Sequence, residues 1–132
     1  MTTDSTTAQP STPVGALERF SACLNAGDLG GALALYLPGA VFRPAPDQNA
    51  ISGHERIGDA LRSLFALEPT ITGEVQRVHE AGDTALVTNR WRLAGTDPTG
   101  ATVEMSGTSA DVMRRRADGT WGILVDDPWG GA

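Results

Sequence analysis

DTALVTNRWRLAGTDPTGATVEMSGTSADVMRRRADGTWGILVDDPWGGA, residues 83–132, is the stretch whose reading decides the fold. It contains three consecutive runs of alternating, β-branched-rich sequence, 84–94, 101–116 and 120–126, which predict three strands. Asp118-Gly119 is the strongest short hairpin signal between them, and a two-residue type I′ turn there sets Ala117 opposite Thr120. Counting back from that turn, Arg115 faces Gly122, Met113 faces Leu124 and Asp111 faces Asp126, all on one face of the sheet. Val112 with Val125 and Arg114 with Ile123 fall on the other face.

The turn at 95–100 is longer. If Ala94 opposes Ala101, Arg90 meets Met105 on the Asp111 face and Arg92 joins it, while a one-residue slip moves both arginines to the opposite face. Thr88, Gly107, Ser109 and Leu124 complete the mixed face; Val87, Trp91, Leu93, Trp121 and Ile123 make the other apolar. Two carboxylates directly opposed across strands repel when both are charged. Either one aspartate keeps its proton and can serve as an acid or base near neutral pH, or an arginine neutralises the pair, or one of them lies in water at a frayed strand end. An apolar face normally means core, which would leave the charges in solvent. The alternative buries the apolar face against a second subunit and turns the mixed face into a cavity.

Upstream, Thr12-Pro13 reads as an N-cap and first-turn proline, and Leu17, Phe20 and Leu24 form the stripe of a first helix that Gly27 ends. Asp28 caps a second short helix carrying Leu29, Leu33 and Tyr36, stopped by Pro38-Gly39. A short strand is expected at 40–43. Ser52 and Glu55 have capping-box spacing before a third helix with Ile57, Leu61, Leu64 and Phe65, ended by Pro69, and a strand follows over 70–79. Helices followed by antiparallel strands predict an α+β domain over 13–132, behind a disordered Thr/Ser-rich tail over 1–12.

A chain of 132 residues supports one core, and net charge -6 with pI about 4.7 argues against a nucleic-acid partner. Every basic residue is arginine, which excludes Schiff-base chemistry and a lysine base. The lone Cys23 suits buried filler in a reducing cytoplasm. No apolar run is long enough to span a membrane. His54 and His79 lack metal-ligand spacing and read as exposed, and there is no glycine-rich phosphate loop, so neither metal nor cofactor is expected.

The helix–helix–strand–helix start, Gly53-x-x-x-Ile57, and the ending from Asp118-Gly119-Thr120-Trp121 to Asp126-Asp127-Pro128 resemble the nuclear-transport-factor-2-like superfamily, and more narrowly its SnoaL-like (polyketide cyclase-like) branch. The resemblance covers roughly 13–130. It implies a cone-shaped curved antiparallel sheet wrapped around three N-terminal helices, a pocket within, and a homodimer through the outer sheet face, where Trp91, Trp121 and Val125 would lie. It further implies a small hydrophobic organic ligand, with Asp126 as acid or base, Asp111 tuning it, and Arg90 steadying an enolate oxygen. Arg92, Tyr36, Met105 and Leu124 would bind the ligand. Limonene-epoxide-hydrolase-like members carry an Arg-x-Asp where this chain has Arg90-Trp91-Arg92, which argues against epoxide hydrolysis. Tyr36, Asp111 and Asp126 are a loose analogue of the ketosteroid-isomerase-like set. A non-catalytic ligand-binding or accessory domain is the alternative.

Overall fold

The computed structural model describes residues 9–131. The elements run α1 (Pro13–Ala26), α2 (Leu29–Ala34), β1 (Tyr36–Phe42), β2 (Ile51–Ser52), α3 (His54–Phe65), β3 (Thr70–Ala81), β4 (Thr84–Thr96), β5 (Thr102–Arg115) and β6 (Trp121–Asp127). Residues 1–8 of the expected tail lie outside the described residues. Of the remainder, Pro10 accepts a backbone hydrogen bond from Trp121 and Thr12 caps α1, so both belong to the folded domain.

The start of the chain folds as its caps dictate. The Thr12 hydroxyl accepts from the Gly15 N–H at 2.9 Å, Pro13 opens α1, and Gly27 closes it in the left-handed conformation. Asp28 caps α2 through the Gly31 N–H. That helix stops earlier than its apolar pattern implies, because its last carbonyls are claimed from elsewhere. The Arg116 guanidinium donates to the carbonyls of Ala34 and Leu35, at 3.0 and 3.3 Å, and the Ile123 N–H donates to Leu35 at 2.7 Å. Tyr36 therefore opens β1 instead of ending a helix. Ser52 does not cap α3 either: it pairs with Val41 in the sheet, and Gly53 at φ 90° makes the turn with no side-chain cap.

The six strands form one sheet in the order β2-β1-β6-β5-β4-β3. It is mixed, not wholly antiparallel as expected, because β1 runs parallel to β6. The helices lie on one face of this curved sheet, with α1 packed across β3 to β6. Ala16, Leu35, Tyr36, Ile57, Leu61, Val87, Met113 and Ile123 form the core between the layers, each nearly inaccessible.

Two turns decide which side chains face that core. At Asp118-Gly119, Arg116 N–H donates to Thr120 O and Gly119 N–H to Arg116 O, with Gly119 at φ 88°. The loop is thus three residues long, a type I turn followed by a left-handed glycine, not a two-residue type I′ turn. Pairing near it is shifted by one residue: Arg115 faces Trp121, Arg114 faces Gly122 and Met113 faces Ile123. A bulge between Val112 and Met113 absorbs one extra residue of β6, and beyond it Val112 faces Val125 and Asp111 faces Asp126, as expected. The turn shift and the bulge cancel.

The other turn has the same form, with Asp97 N–H donating to Ala101 O, Gly100 N–H to Asp97 O, and Gly100 at φ 89°. Pairing follows as Thr96 with Thr102, Trp91 with Gly107, Asn89 with Ser109 and Val87 with Asp111. This register differs from the expected one by an odd number of residues, so the whole of β4 turns over. Val87, Trp91 and Leu93 face inward alongside Asp111, and Arg90 and Arg92 face outward.

Candidate functional site

Between α1 and the inner sheet face lies a cavity containing about 750 Å³ of unfilled space, its open mouth included. Leu17, Phe20 and Leu24 of α1 and Leu64 of α3 form its roof. Its floor is Trp91, Leu93, Met105 and Ile123, and Pro44, Pro128 and Trp129 edge it. Into these apolar walls the sheet sets four polar side chains, Asn89, Ser109, Asp111 and Asp126.

The aspartates sit side by side because Asp111 and Asp126 are register partners on an inward face. Asp111 is only 2% exposed, so ionising it means removing a charge from water. Its Oδ2 accepts from the Ser109 hydroxyl at 2.8 Å, while Oδ1 is sealed and has no conventional donor among the described residues. Asp126, its register partner across the strands, is placed to meet that need by sharing a proton. Burial first, then the neighbouring Asp126 charge and hydrogen bonding with it, hold Asp111 well above the usual carboxylate range. Of the two, Asp111 is the carboxyl pushed further up.

Asp126 keeps part of its surface on the cavity. Burial raises its pKa, and hydrogen bonds from Asp111 and Tyr36 pull it back down. The Tyr36 hydroxyl donates to Asp126 Oδ2 at 2.6 Å. Tyr36 is buried and remains a phenol, its pKa pushed well up by burial and by the Asp126 charge. The arrangement is an ionisable carboxylate held by two acids of higher pKa, in a low-dielectric wall.

Of the residues expected to form the site, the fold brings together Asp111, Asp126, Tyr36 and Met105. Tyr36 stands behind Asp126 and is not part of the cavity wall, whereas Met105 lines it. Arg90 lies on the outer face, its side chain 68% exposed and 3.9 Å from Glu74, and Arg92 is exposed beside it. The reason is the turned-over β4. Leu124, at the β6 bulge, is absent from the wall, and Ile123 takes its place. Trp91 and Trp121 are buried inside and do not belong to an outer face.

Two contributors escaped the sequence reading. Asn89 and Trp91 enter the cavity with the inward face of β4. Asp97-Pro98-Thr99-Gly100 was the available signal, since Asp, Pro and Gly at the first, second and fourth positions mark a type I turn. Trp129 folds back over Gly107, its Nε1 donating to Ser106 O at 3.2 Å and its ring meeting Trp91 edge-on at 5.6 Å. Arg43 fixes this edge: its Nε donates to Asp127 Oδ1 at 2.8 Å and its guanidinium lies 5.8 Å from the centre of the Trp129 ring. His54 is exposed in the first turn of α3, as expected, and its ring Nε2 donates to the Tyr36 carbonyl. Among the described residues, no three His, Cys, Asp or Glu side chains are grouped to hold a metal ion, and no helix is long and apolar enough to cross a membrane.

The sheet, its helical layer and the enclosed cavity define a class, the nuclear-transport-factor-2-like fold. An NTF2-like superfamily protein from Salmonella enterica matches with a TM-score of 0.74 at 16% identity, over 85% of this chain and 83% of that one. A ketosteroid isomerase-like protein from Erwinia carotovora matches at 0.72 and 19%, over 84% and 87%. An NTF-2 like protein of unknown function from Shewanella oneidensis matches at 0.68 and 15%, over 86% and 92%. Within this class the chain belongs to the SnoaL-like domain family, whose model matches residues 17–121. No curated protein matches the chain in sequence. At these identities the structural neighbours share the fold, which hosts many chemistries.

Proposed function

We propose that this protein is a small acid–base enzyme of the SnoaL-like type, acting on a hydrophobic, polyketide- or steroid-like carbonyl compound. The supporting observation is the set Asp111–Asp126–Tyr36, register-paired aspartates with the Tyr36 hydroxyl on Asp126, at a largely apolar cavity. Asp126, as carboxylate, takes a proton from a carbon beside the carbonyl, and the C–H electron pair passes to the carbonyl oxygen as an enolate. The same proton then returns to a different carbon, so nothing is consumed and the product is an isomer. Asp111 keeps its proton and Tyr36 holds the Asp126 carboxylate in place. Arg90, on the outer face, has no part in this reading.

The test is α-proton exchange of β-tetralone in deuterated water, followed by NMR. Wild type and Arg90→Ala should exchange the ketone above background, while Asp126→Asn should lose at least a hundredfold of the rate. Exchange unchanged in Asp126→Asn would sink the mechanism. β-Tetralone bound without exchange would favour the second reading, a ligand-binding domain, for which both Asp126 hydrogen bonds and the lack of a cavity arginine speak. The outer sheet face supports the dimer expectation with an apolar row, Leu86 beside Val112 beside Val125 beside Val41. Leu86→Glu should then yield monomers in sedimentation, and a dimer unaffected by it would move the interface elsewhere. The free, buried Cys23 fits a reducing, cytoplasmic setting.

A further inference from the structure

Asn89, set in the sheet, and Ser21, on α1, are the polar side chains of the cavity wall that the acid–base set leaves unused, and Asn89 is the only amide of the two. It is 7% exposed, and its side-chain amide has no hydrogen-bond partner among the described residues. Its polar atoms are not sealed off, so water or a ligand in the cavity can meet them. The fold makes room for it: at Gly73 on the adjacent strand a Cβ would come within 3.0 Å of both Asn89 Nδ2 and Oδ1. Trp91 and Leu93, its inward neighbours along β4, and Met105 opposite Leu93 are apolar, and the adjacent Ser109 hydroxyl is already engaged with Asp111, so the amide is an uncommitted donor and acceptor on this part of the wall.

We propose that the Asn89 amide is a second recognition point, taking a carbonyl or hydroxyl on the end of the ligand remote from Asp126. This rests on the reading of the cavity as the ligand site. Asn89 pairs with Ser109, two residues from Asp111, which pairs with Asp126. Two strand spacings across and two residues along separate the Asn89 and Asp126 backbones by on the order of 12 Å. That distance takes Asn89 away from the reacting carbon and makes it a specificity residue, not a stabiliser of the enolate. The ligand class is an extended apolar body with a polar group at each end. A fused-ring diol or hydroxyketone fits; a hydrocarbon with one polar end leaves the amide unmet.

The probes are naphthalene-2,6-diol and β-naphthol, which differ by one hydroxyl, titrated calorimetrically into the full chain. Wild type should prefer the diol about fivefold, the worth of one neutral hydrogen bond. Asn89→Leu, close in shape, should erase that preference. Gly73→Ala crowds the amide while keeping it, and should weaken the diol selectively even if Asn89→Leu fails to fold. Asp126→Asn, which should weaken both phenols alike, reports separately on the reading of the acid–base set. A wild type that binds both phenols equally, or an Asn89→Leu protein that keeps the preference, overturns the inference alone. Binding of neither phenol by wild type overturns the cavity reading and the inference with it.

Discussion

Replacing Tyr36 by Phe removes one oxygen and asks how much the carboxylate network contributes. The lost bond is a 2.6 Å phenol-to-carboxylate hydrogen bond. Hydrogen bonds to a charged partner contribute about 1.5–3 kcal/mol, against about 1 kcal/mol for a neutral one. The ring itself stays, and with it the edge contacts to Phe20 and Phe42 at 6.2 Å, so packing is nearly conserved. At neutral pH Tyr36→Phe should therefore lose about 1.5–3 kcal/mol in urea unfolding, or roughly 5–10 °C of Tm for a chain of this length. The pH dependence carries a sign. Tyr36 lowers the Asp126 pKa, so the variant's Asp126 titrates higher than the wild type's. The gap in stability must then widen as pH rises through that titration, and narrow toward about 1 kcal/mol in acid. A loss below about 0.5 kcal/mol at neutral pH, or a gap that shrinks as pH rises, would refute the reasoning.

Two further outcomes follow from the same geometry. Asp111 has a folded pKa above its unfolded value, so its contribution is neutral below about pH 3.9, and stability declines as pH rises from there toward the raised value. Asp111→Asn cannot titrate and should show a flatter fall in unfolding free energy between pH 4 and 8; a steeper fall would contradict the assignment of the proton to Asp111. At Gly107, an added Cβ would lie 2.7 Å from Trp129 Cδ1 and 3.0 Å from Pro128 O. Gly107→Ala should displace the Trp129 ring at a cost of about 1–3 kcal/mol, visible as changed tryptophan emission together with a lower Tm, and unchanged values of both would show that Trp129 does not rest there.

The site was legible in part, and the division follows the range of the interactions. Local chemistry told where α1 begins and ends, because Thr12, Pro13 and Gly27 act on their own neighbours. It placed Asp111 opposite Asp126, although by two shifts that cancel: a three-residue loop where two were expected, and a bulge that restores the count. No such compensation occurs between β4 and β5. There one odd shift was enough to carry Arg90 and Arg92 to the surface and bring Asn89 and Trp91 into the cavity. The apolar alternation of β4 itself pointed the right way, since Val87, Trp91 and Leu93 are core.

By itself, then, the sequence determined the order of the three helices and the longer strands and the α+β class, because periodicity and capping act within a few residues. Only the tertiary structure decided which face of each strand meets the helices. It also brought Tyr36 onto Asp126 across 90 positions of chain. Side chains alternate with a period of two, so a single residue gained or lost in a turn reverses a face. Such a contact exists only once β1 has been laid parallel to β6 by the packing of the whole domain.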